Sequence, residues 1–433
     1  MLFFHTRINK KNINRRHCEE HAFTGGDKAN LYGVIKLNMS SNFTFSARTN
    51  WELSGNRLND ELDRLRLEGI PIIDLTESNP TRCGFQYPDE ILKALSDTKN
   101  LSYFPESKGM LHARQAISKY YLESGFDVDP ESIVLTSSTS EGYTFLFRLL
   151  VNPGEKVLIA RPSYPLFQYL IELADATYDF YPLIFDGKRW KIDLAVLEEA
   201  IDPLTRVIIL VNPNNPTGSY ITSEELEEIN RLCVRHKLAL ISDEVFFDYR
   251  LNPSDREGVS LVNNSATATY VLNGLSKNLA LPQMKLSWIV TSGPKPDVDE
   301  SLKRLEMIAD TFLSVNTPVQ NALGLWLTAR KEIQTEVLDR LRRNHGMIKD
   351  FASQHGLSFF VSRGGWYAVL KFPSVIDEEK WILELLTRKH VLVHPGYFFD
   401  FDGDGFIVLS LLPAIERMTE GLSAISDVIR RKV

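Results

Sequence analysis

Short apolar runs alternate with helical periodicity through the middle of the chain. Six runs rich in β-branched residues are predicted to be strands, and they lie at 132–137, 156–160, 206–212, 239–245, 269–275 and 286–292. The clearest helical stretch between them, 222–237, begins with a capping box formed by Thr222 and Glu225. Continuously apolar runs predict a mainly parallel sheet covered on both faces. The last two runs lie too close together for a crossover helix, so one strand is predicted to be antiparallel.

The pattern changes on both sides of this region and predicts the domain organisation. Leucines at helical spacing end at Gly69, and the last part of the chain mixes strands with one helix. We therefore expect an N-terminal segment (39–80) that packs with a small domain, a large domain (81–315), and an interdomain helix followed by a small α+β domain (316–433). Residues 1–38 are polar and patternless, and we interpret them as a disordered or wrongly assigned leader.

The composition of the chain argues against several classes of function. A chain of 433 residues favours two domains, and a net charge of −7 gives no basic excess for binding nucleic acid. No apolar run approaches the roughly 18–20 residues of a membrane helix. The three cysteines are widely separated and match no metal-binding or disulfide spacing. We therefore expect a cytoplasmic protein with no metal site and no membrane or nucleic-acid partner.

Polar residues follow four of the predicted strands. In open parallel sheets the carboxyl ends of the strands meet at one edge and bind ligands there. The residues are Ser137, Ser138 and Thr139, the turn NPNNPTG at 212–218, Asp243, and Ser276 with Lys277. Taken singly, each fits an ordinary helix cap, turn or surface charge. Together they offer a phosphate cradle, an amide, a carboxylate and a lysine, which is the set that pyridoxal 5′-phosphate (PLP) requires.

The motifs NPNNPTG, SDEVFFD and LSK, in this order, resemble the class I/II (fold type I) PLP-dependent aminotransferases. The resemblance runs from about residue 70 to 430 and includes YFPESKG (103–109), RPSYPLF (161–167), RGGWYAVL (363–370) and VHPGYFF (393–399). It implies an α/β fold with a mainly parallel sheet in the PLP-binding large domain and a smaller α+β domain. It also implies a homodimer that moves amino groups from an amino acid to a 2-oxo acid by a ping-pong mechanism.

The resemblance implies a role for each matching residue. Lys277 would form the Schiff base with PLP and move the substrate proton, Asp243 would pair with the pyridine nitrogen, and Asn215 would bond the phenolic oxygen. The remaining implied cofactor contacts are the phosphate-binding Ser137, Ser138, Thr139 and Ser276, Tyr164 over the ring face, and Tyr103 reaching the phosphate of the neighbouring subunit.

Four positions depart from the family pattern, and one of them is Ser138, which stands where glycine is common. Phe246 stands where a tyrosine commonly donates to the phenolic oxygen, and Lys285 stands where an arginine binds the phosphate. Val408 stands where an arginine usually clamps the substrate carboxylate. Candidates to bind the substrate instead are Arg82, Arg363 and Trp366, although surface ion pairs and core packing would explain them equally well.

The missing arginine at Val408 keeps a second enzyme class open. The prediction is an aminotransferase, and the alternative is a PLP-dependent lyase of the β-elimination C–S type, or a decarboxylase, on the same fold. A non-catalytic PLP-binding regulatory module is a third possibility, but no DNA-binding segment or basic patch accompanies the motifs.

Overall fold

The computed structural model describes residues 43–51, 55–255, 257–372 and 377–430. The leader predicted at 1–38 lies outside these residues. The helices are α1 (Arg57–Leu67), α2 (Glu90–Lys93), α3 (Leu111–Glu123), α4 (Thr139–Leu150), α5 (Phe167–Glu172), α6 (Leu194–Glu199), α7 (Ser223–His236), α8 (Leu275–Asn278), α9 (Lys295–Asp310), α10 (Thr317–Gln354), α11 (Glu378–Lys389) and α12 (Ile415–Ile429). The strands are β1 (Ile73–Asp74), β2 (Ile133–Thr136), β3 (Lys156–Arg161), β4 (Thr177–Phe185), β5 (Trp190–Ile192), β6 (Thr205–Val211), β7 (Ala239–Asp243), β8 (Thr269–Gly274), β9 (Ser287–Ser292), β10 (Ser358–Phe360), β11 (Tyr367–Lys371), β12 (Val391–Leu392), β13 (His394–Pro395) and β14 (Phe406–Ser410).

An eight-stranded sheet forms the larger part of the molecule, in the order β2-β9-β8-β7-β6-β3-β4-β5. Strands β8, β7, β6, β3 and β4 are parallel to their neighbours in this series. Strand β9 is antiparallel to both β2 and β8. The predictions of a mainly parallel sheet and of one antiparallel strand among the last two runs are therefore confirmed.

Both faces of this sheet are covered, which explains the continuous apolar runs. In β6, Val207 and Ile209 belong to one core cluster, which includes residues of α4 and α9. Ile208 and Leu210 point the other way, into a second cluster that includes residues of α3, α7 and α10. Because side chains alternate along a strand, every position of such a strand is apolar when both faces are buried.

The sequence patterns missed two strands at one edge of the sheet. Strand β4 alternates between exposed and buried positions, and β5 pairs with it in the antiparallel direction. Since only part of β4 faces the core, its sequence lacks the continuous apolar run that identified the central strands.

The C-terminal region contains a four-stranded antiparallel sheet, β10-β11-β14-β13. The 38-residue helix α10 leads into it, and its N-cap Asn316 accepts a hydrogen bond from the backbone N–H of Val319. In the middle of this sheet, Val408 lies opposite Val369 on one side and His394 on the other.

The N-terminal segment contacts both parts of the molecule. Helix α1 packs against α11, and β1 pairs in parallel with β12. Before α1, the Trp51 indole N–H donates to Glu172 of α5 at 2.7 Å. Among the described helices, none combines the length and the apolar character that crossing a bilayer requires.

Candidate active site

The polar residues predicted to come together lie at one edge of the large sheet. Strands β2, β8, β7 and β6 run in the same direction, so their carboxyl ends share that edge. Asp243 is the last residue of β7, and its backbone carbonyl accepts from the backbone N–H of Asn212 at 2.8 Å. Helix α8, which carries Lys277, follows β8 directly.

Asp243 has a sparse set of hydrogen-bond partners. The Tyr143 hydroxyl donates to its Oδ2 at 3.1 Å, and the Val245 backbone N–H donates to its Oδ1 at 3.2 Å. Burial raises the pKa of Asp243 to about 6, and these two bonds together with nearby Lys277 partly offset the rise. The site therefore holds a carboxylate that would gain stability from a cationic partner.

Lys277 lies between aromatic rings. Its Nζ is 4.9 Å from the ring centroid of Trp366 and 5.6 Å from that of Phe246. Desolvation lowers the pKa of Lys277 to about 8, and the nearby Asp243 opposes this shift. A substantial fraction of the amine is thus neutral just above neutral pH, as a nucleophile requires.

A network that the sequence patterns missed holds the backbone of Lys277. The Tyr249 hydroxyl donates to the carbonyl of Lys277 at 2.6 Å. Asp248 accepts from the side chains of Asn278 and Gln334, each at 2.8 Å. These partners come from distant parts of the chain, so no local pattern could reveal them. Tyr143 was within reach of the sequence analysis, because it follows Thr139 by four positions on α4, where side chains share a helix face.

The predicted phosphate-binding residues surround the start of α4 and of α8. Ser138 caps α4, its Oγ accepting from the backbone N–H of Glu141 at 3.1 Å, while the Glu141 carboxylate accepts from the Ser137 backbone N–H at 2.7 Å. Thr139 is the first residue of α4 and Ser276 lies in α8. Lys285 is exposed and precedes Leu286, whose carbonyl accepts from the first residue of α8 at 3.0 Å.

The two predicted aromatic contacts differ in their surroundings. Tyr164 is 39% exposed, and its ring packs edge-on against Phe167 at 6.3 Å. Phe167 in turn packs against Tyr143, the residue that donates to Asp243, so Tyr164 lies on the side of the site that holds this carboxylate. Tyr103 is 71% exposed on a surface loop beside Phe104. Within this single chain, the structure brings Tyr164 to the site and leaves Tyr103 facing outward.

The candidate substrate residues also differ. Arg82 pairs with Glu77 at 3.6 Å. Arg363 pairs with Asp255 and with Glu257, the latter at 2.8 Å. Trp366 is the candidate that directly contacts Lys277.

Residues 70–425 match the family model described as aminotransferase class I and II. The chain belongs to this family. The glutamate-pyruvate aminotransferase AlaA of Escherichia coli K12 is 29% identical over 376 residues, which cover 84% of this chain and 91% of that protein. The alanine aminotransferase of Mycobacterium tuberculosis is 30% identical over 373 residues, or 82% and 86% of the two chains.

Solved structures agree with this assignment. An aminotransferase from Escherichia coli superposes with a TM-score of 0.79 at 28% identity, covering 90% of this chain and 99% of that one. The alanine aminotransferase of Pyrococcus furiosus gives a TM-score of 0.78 at 25% identity, with coverage of 86% and 96%. This class I/II aminotransferase is an enzyme that transfers amino groups, has the type I fold and uses PLP as its cofactor. The predicted family, fold, activity and cofactor are confirmed.

The residues at the site fit PLP. The side-chain Oδ1 of Asn215 is buried and has no hydrogen-bond partner among the described residues. Buried polar atoms in native proteins are nearly always bonded, so this amide is suited to a ligand. Asp243 likewise lacks the cation that its buried carboxylate favours, and a protonated pyridine nitrogen would supply it.

Proposed function

We propose that this aminotransferase moves an amino group from an amino acid to a 2-oxo acid by a ping-pong mechanism, with Lys277 as the residue that binds PLP covalently. The observation that carries the proposal is the placement of Lys277 and Asp243 at one sheet edge: Asp243 ends β7, and Lys277 lies in the helix that directly follows the adjacent strand β8. Asn215 lies in the turn after β6 at the same edge, and its buried Oδ1, which has no partner among the described residues, supports the presence of a ligand there.

Each residue of the chain has a defined task in this proposal. PLP supplies an aldehyde and an electron-withdrawing ring. Lys277 Nζ would bind the aldehyde carbon with loss of water and, once the amino donor has displaced it from that carbon, the freed amine would take the proton from the α-carbon of the donor. Asp243, oriented by Tyr143, would keep the pyridine nitrogen protonated, and the side-chain N–H of Asn215 would donate to the phenolic oxygen. The residues that would hold the phosphate are Ser137, Ser138, Thr139, Ser276 and Lys285, and Tyr164 would cover the ring.

The proposed active unit is a homodimer, in which Tyr103 contacts the phosphate bound by the neighbouring subunit. Tyr103 and Phe104 are 71% and 68% exposed, and Leu313 lines the same surface depression. Contiguous exposed apolar side chains of this kind favour a protein partner. We assign the cofactor to a PLP-binding large domain, residues 81–315, and place the enzyme in the cytoplasm, in keeping with the free thiols of Cys83 and Cys233.

Alanine and glutamate are the amino donors to test first, because the relatives described above are named for them. The substrate would be bound by Trp366 and by Arg82 or Arg363. Of the two arginines Arg82 is the stronger candidate, since two carboxylates already bind Arg363. A β-elimination lyase stays the second candidate because the buried Val408 offers no charge to a substrate carboxylate.

An absorption spectrum of the PLP-loaded enzyme, recorded before and after each donor is added, tests the proposal. We expect a visible band that a productive donor removes, with pyridoxamine phosphate and the matching 2-oxo acid as products. Release of pyruvate with ammonia, and no pyridoxamine phosphate, would instead identify a lyase. Light scattering of the same sample is expected to give twice the mass of the chain.

A further inference from the structure

Lys277 lies in a very short helix that needs support from the rest of the chain. Helix α8 has four residues, and a single helical turn is unstable by itself because it forms few hydrogen bonds. The carbonyls of Lys277 and Asn278 accept from the Tyr249 hydroxyl, at 2.6 Å and 3.2 Å. The Gln334 amide also donates to the Asn278 carbonyl, at 3.0 Å. Side chains from elsewhere in the molecule therefore determine where this turn lies.

One carboxylate oxygen joins the end of this turn to two longer helices. Asp248 Oδ2 accepts from the side-chain amide of Asn278 at 2.8 Å. The same oxygen accepts from the Gln334 amide of α10 at 2.8 Å and from the Tyr120 hydroxyl of α3 at 3.0 Å. Asn278 also donates to the Tyr120 hydroxyl, at 3.0 Å. The side chain that directly follows Lys277 is thus fixed by a carboxylate and a hydroxyl together.

The charge of Asp248 strengthens these hydrogen bonds. All three donors are neutral groups, and a hydrogen bond to an ionised acceptor is roughly twice as strong as one between neutral groups. Burial raises the pKa of Asp248, and the three donors together with nearby Arg330 offset part of this rise. Arg330 itself pairs with Glu123 at 2.7 Å. Asp248 therefore acts mainly as the shared acceptor of three side chains.

Two carboxylates influence Lys277 in different ways. Burial lowers the pKa of Lys277 and Asp243 opposes this shift, so Asp243 acts on the charge of the amine. Asp248 bonds the side chain of Asn278, the residue that follows the lysine. The charge of the amine and the position of its backbone are thus controlled by separate residues, and substitutions can distinguish the two effects.

We propose that Asp248 is a positioning residue for the reaction: through Asn278 it holds the turn that carries Lys277 and so fixes the direction in which the amine points. The inference rests on the proposed role of Lys277 as the residue that binds PLP. That role gives the amine two targets in turn, the aldehyde carbon of PLP and the α-proton of the amino donor. Both steps need the nitrogen at a set position, and a displacement of about 1 Å can lower a rate by roughly a hundredfold.

The test is the rate at which PLP loads the cofactor-free enzyme, followed by stopped-flow absorbance over a pH series. Asp248→Asn keeps the size of the side chain and removes its charge. We expect it to slow loading about tenfold at every pH, because the amine is less well placed. The pH midpoint of loading should stay unchanged, since burial and Asp243 set the pKa of Lys277. In steady-state kinetics kcat should fall by a similar factor, while KM for the amino donor should change by less than about twofold.

A double-mutant cycle shows whether the effect passes through Asn278. Asn278→Ala should slow loading by a similar factor. Asp248→Asn combined with Asn278→Ala should be no slower than the slower single variant, because both changes remove the same hydrogen bond.

Glu225 provides the matched control. It is a buried carboxylate in α7 that accepts from the backbone N–H groups of Ile192 and Thr222, at 3.1 Å and 3.0 Å. Glu225→Gln also removes a charge from a bonded carboxylate, and it is expected to leave the loading rate unchanged.

Three results would overturn the proposal. A wild-type loading rate in folded Asp248→Asn, with a lower melting temperature, would show that the role of Asp248 is structural only. A shifted pH midpoint would show that Asp248 acts on the charge of Lys277 and not on its position. Single effects that multiply in the double variant would show that Asp248 and Asn278 act independently.

Two further outcomes keep the test decisive. If Asp248→Asn does not fold, Asn278→Ala breaks the same bond from the other side, and a wild-type loading rate in that variant overturns the inference. If wild-type protein with PLP gives no visible band, the proposed role of Lys277 fails, and this inference fails with it.

Discussion

Two buried carboxylates, one beside each sheet, differ in the hydrogen bonds that they accept from the protein. Glu378, at the start of α11 in the C-terminal region, accepts from the backbone N–H groups of Tyr397, Gly405 and Phe406 at 3.2, 2.8 and 3.0 Å. Asp243, at the edge of the large sheet, accepts from one backbone N–H and one hydroxyl. Burial raises the pKa of both carboxyl groups.

This difference in hydrogen bonding distinguishes polar groups that stabilise the fold from polar groups that remain available to a ligand. The bonds of Glu378 tie two loops to the start of a helix, so its desolvation is offset within the protein. Asp243 accepts only two hydrogen bonds, and the Oδ1 of Asn215 near the same sheet edge has no partner among the described residues. Such groups reduce the stability of the chain without cofactor, and cofactor binding restores that loss.

The largest expected effect comes from removing the lysine. Lys277→Ala should abolish the visible band and lower the transamination rate by at least about a thousandfold, because the covalent bond and the proton acceptor are both lost. Since it removes a desolvated amine, the melting temperature of the cofactor-free protein should not fall. Exposed Lys295→Ala is the control and should keep full activity. A variant Lys277→Ala that retained the band would contradict the assignment.

Substitution of Glu378 is expected to lower stability and to leave activity intact, the opposite of the result expected for Lys277. Glu378→Ala leaves three backbone N–H groups without an acceptor, two of them buried, so the free energy of unfolding should fall by about 3 kcal/mol. Denaturant titration measures this change. At 25 °C, where the variant stays folded, kcat should be close to that of wild type. Glu379→Ala, at the next and more exposed position, should change stability by no more than about 0.5 kcal/mol. Loss of kcat in folded Glu378→Ala would remove the contrast between the two carboxylates.

A smaller expected effect is a change in the pH dependence of PLP loading. Only the neutral amine of Lys277 attacks PLP, so the rate at which cofactor-free enzyme is loaded should rise with pH, with a midpoint of about 8. Asp243 raises the pKa of Lys277, so Asp243→Asn should move that midpoint to lower pH. Stopped-flow absorbance over a pH series measures the shift. Glu244→Gln is the matched control, because the neighbouring carboxylate bonds Ser242, Ser260 and Leu261 instead. An upward shift in Asp243→Asn would refute the assigned coupling.

The sequence patterns predicted the candidate site residues better than they predicted the contacts that surround those residues. Six strands of the large sheet were predicted because both of their faces are buried, and the rule that ligands bind at carboxyl ends placed Asp243 near Lys277. Strand β4 was missed because its partly exposed face interrupts the apolar pattern. The contact between Trp366 and Lys277 joins segments next to two separate sheets, and the bond from Gln334 to Asp248 joins helix α10 to a turn that is far away in the chain. Local periodicity carries no information about either contact.

Helix α10 sets a distance between the two sheets. Gln334 bonds Asp248 and the carbonyl of Asn278, next to the lysine. Farther along the same helix, Asn344 bonds the carbonyls of Leu411 and Pro413, directly after the strand that contains Val408. Ten residues of helix between these two anchors correspond to about 15 Å of rise. The helix therefore fixes the spacing between the segment that carries the lysine and the end of β14. This spacing is set by the helical rise, so substitutions in the connecting loops do not change it.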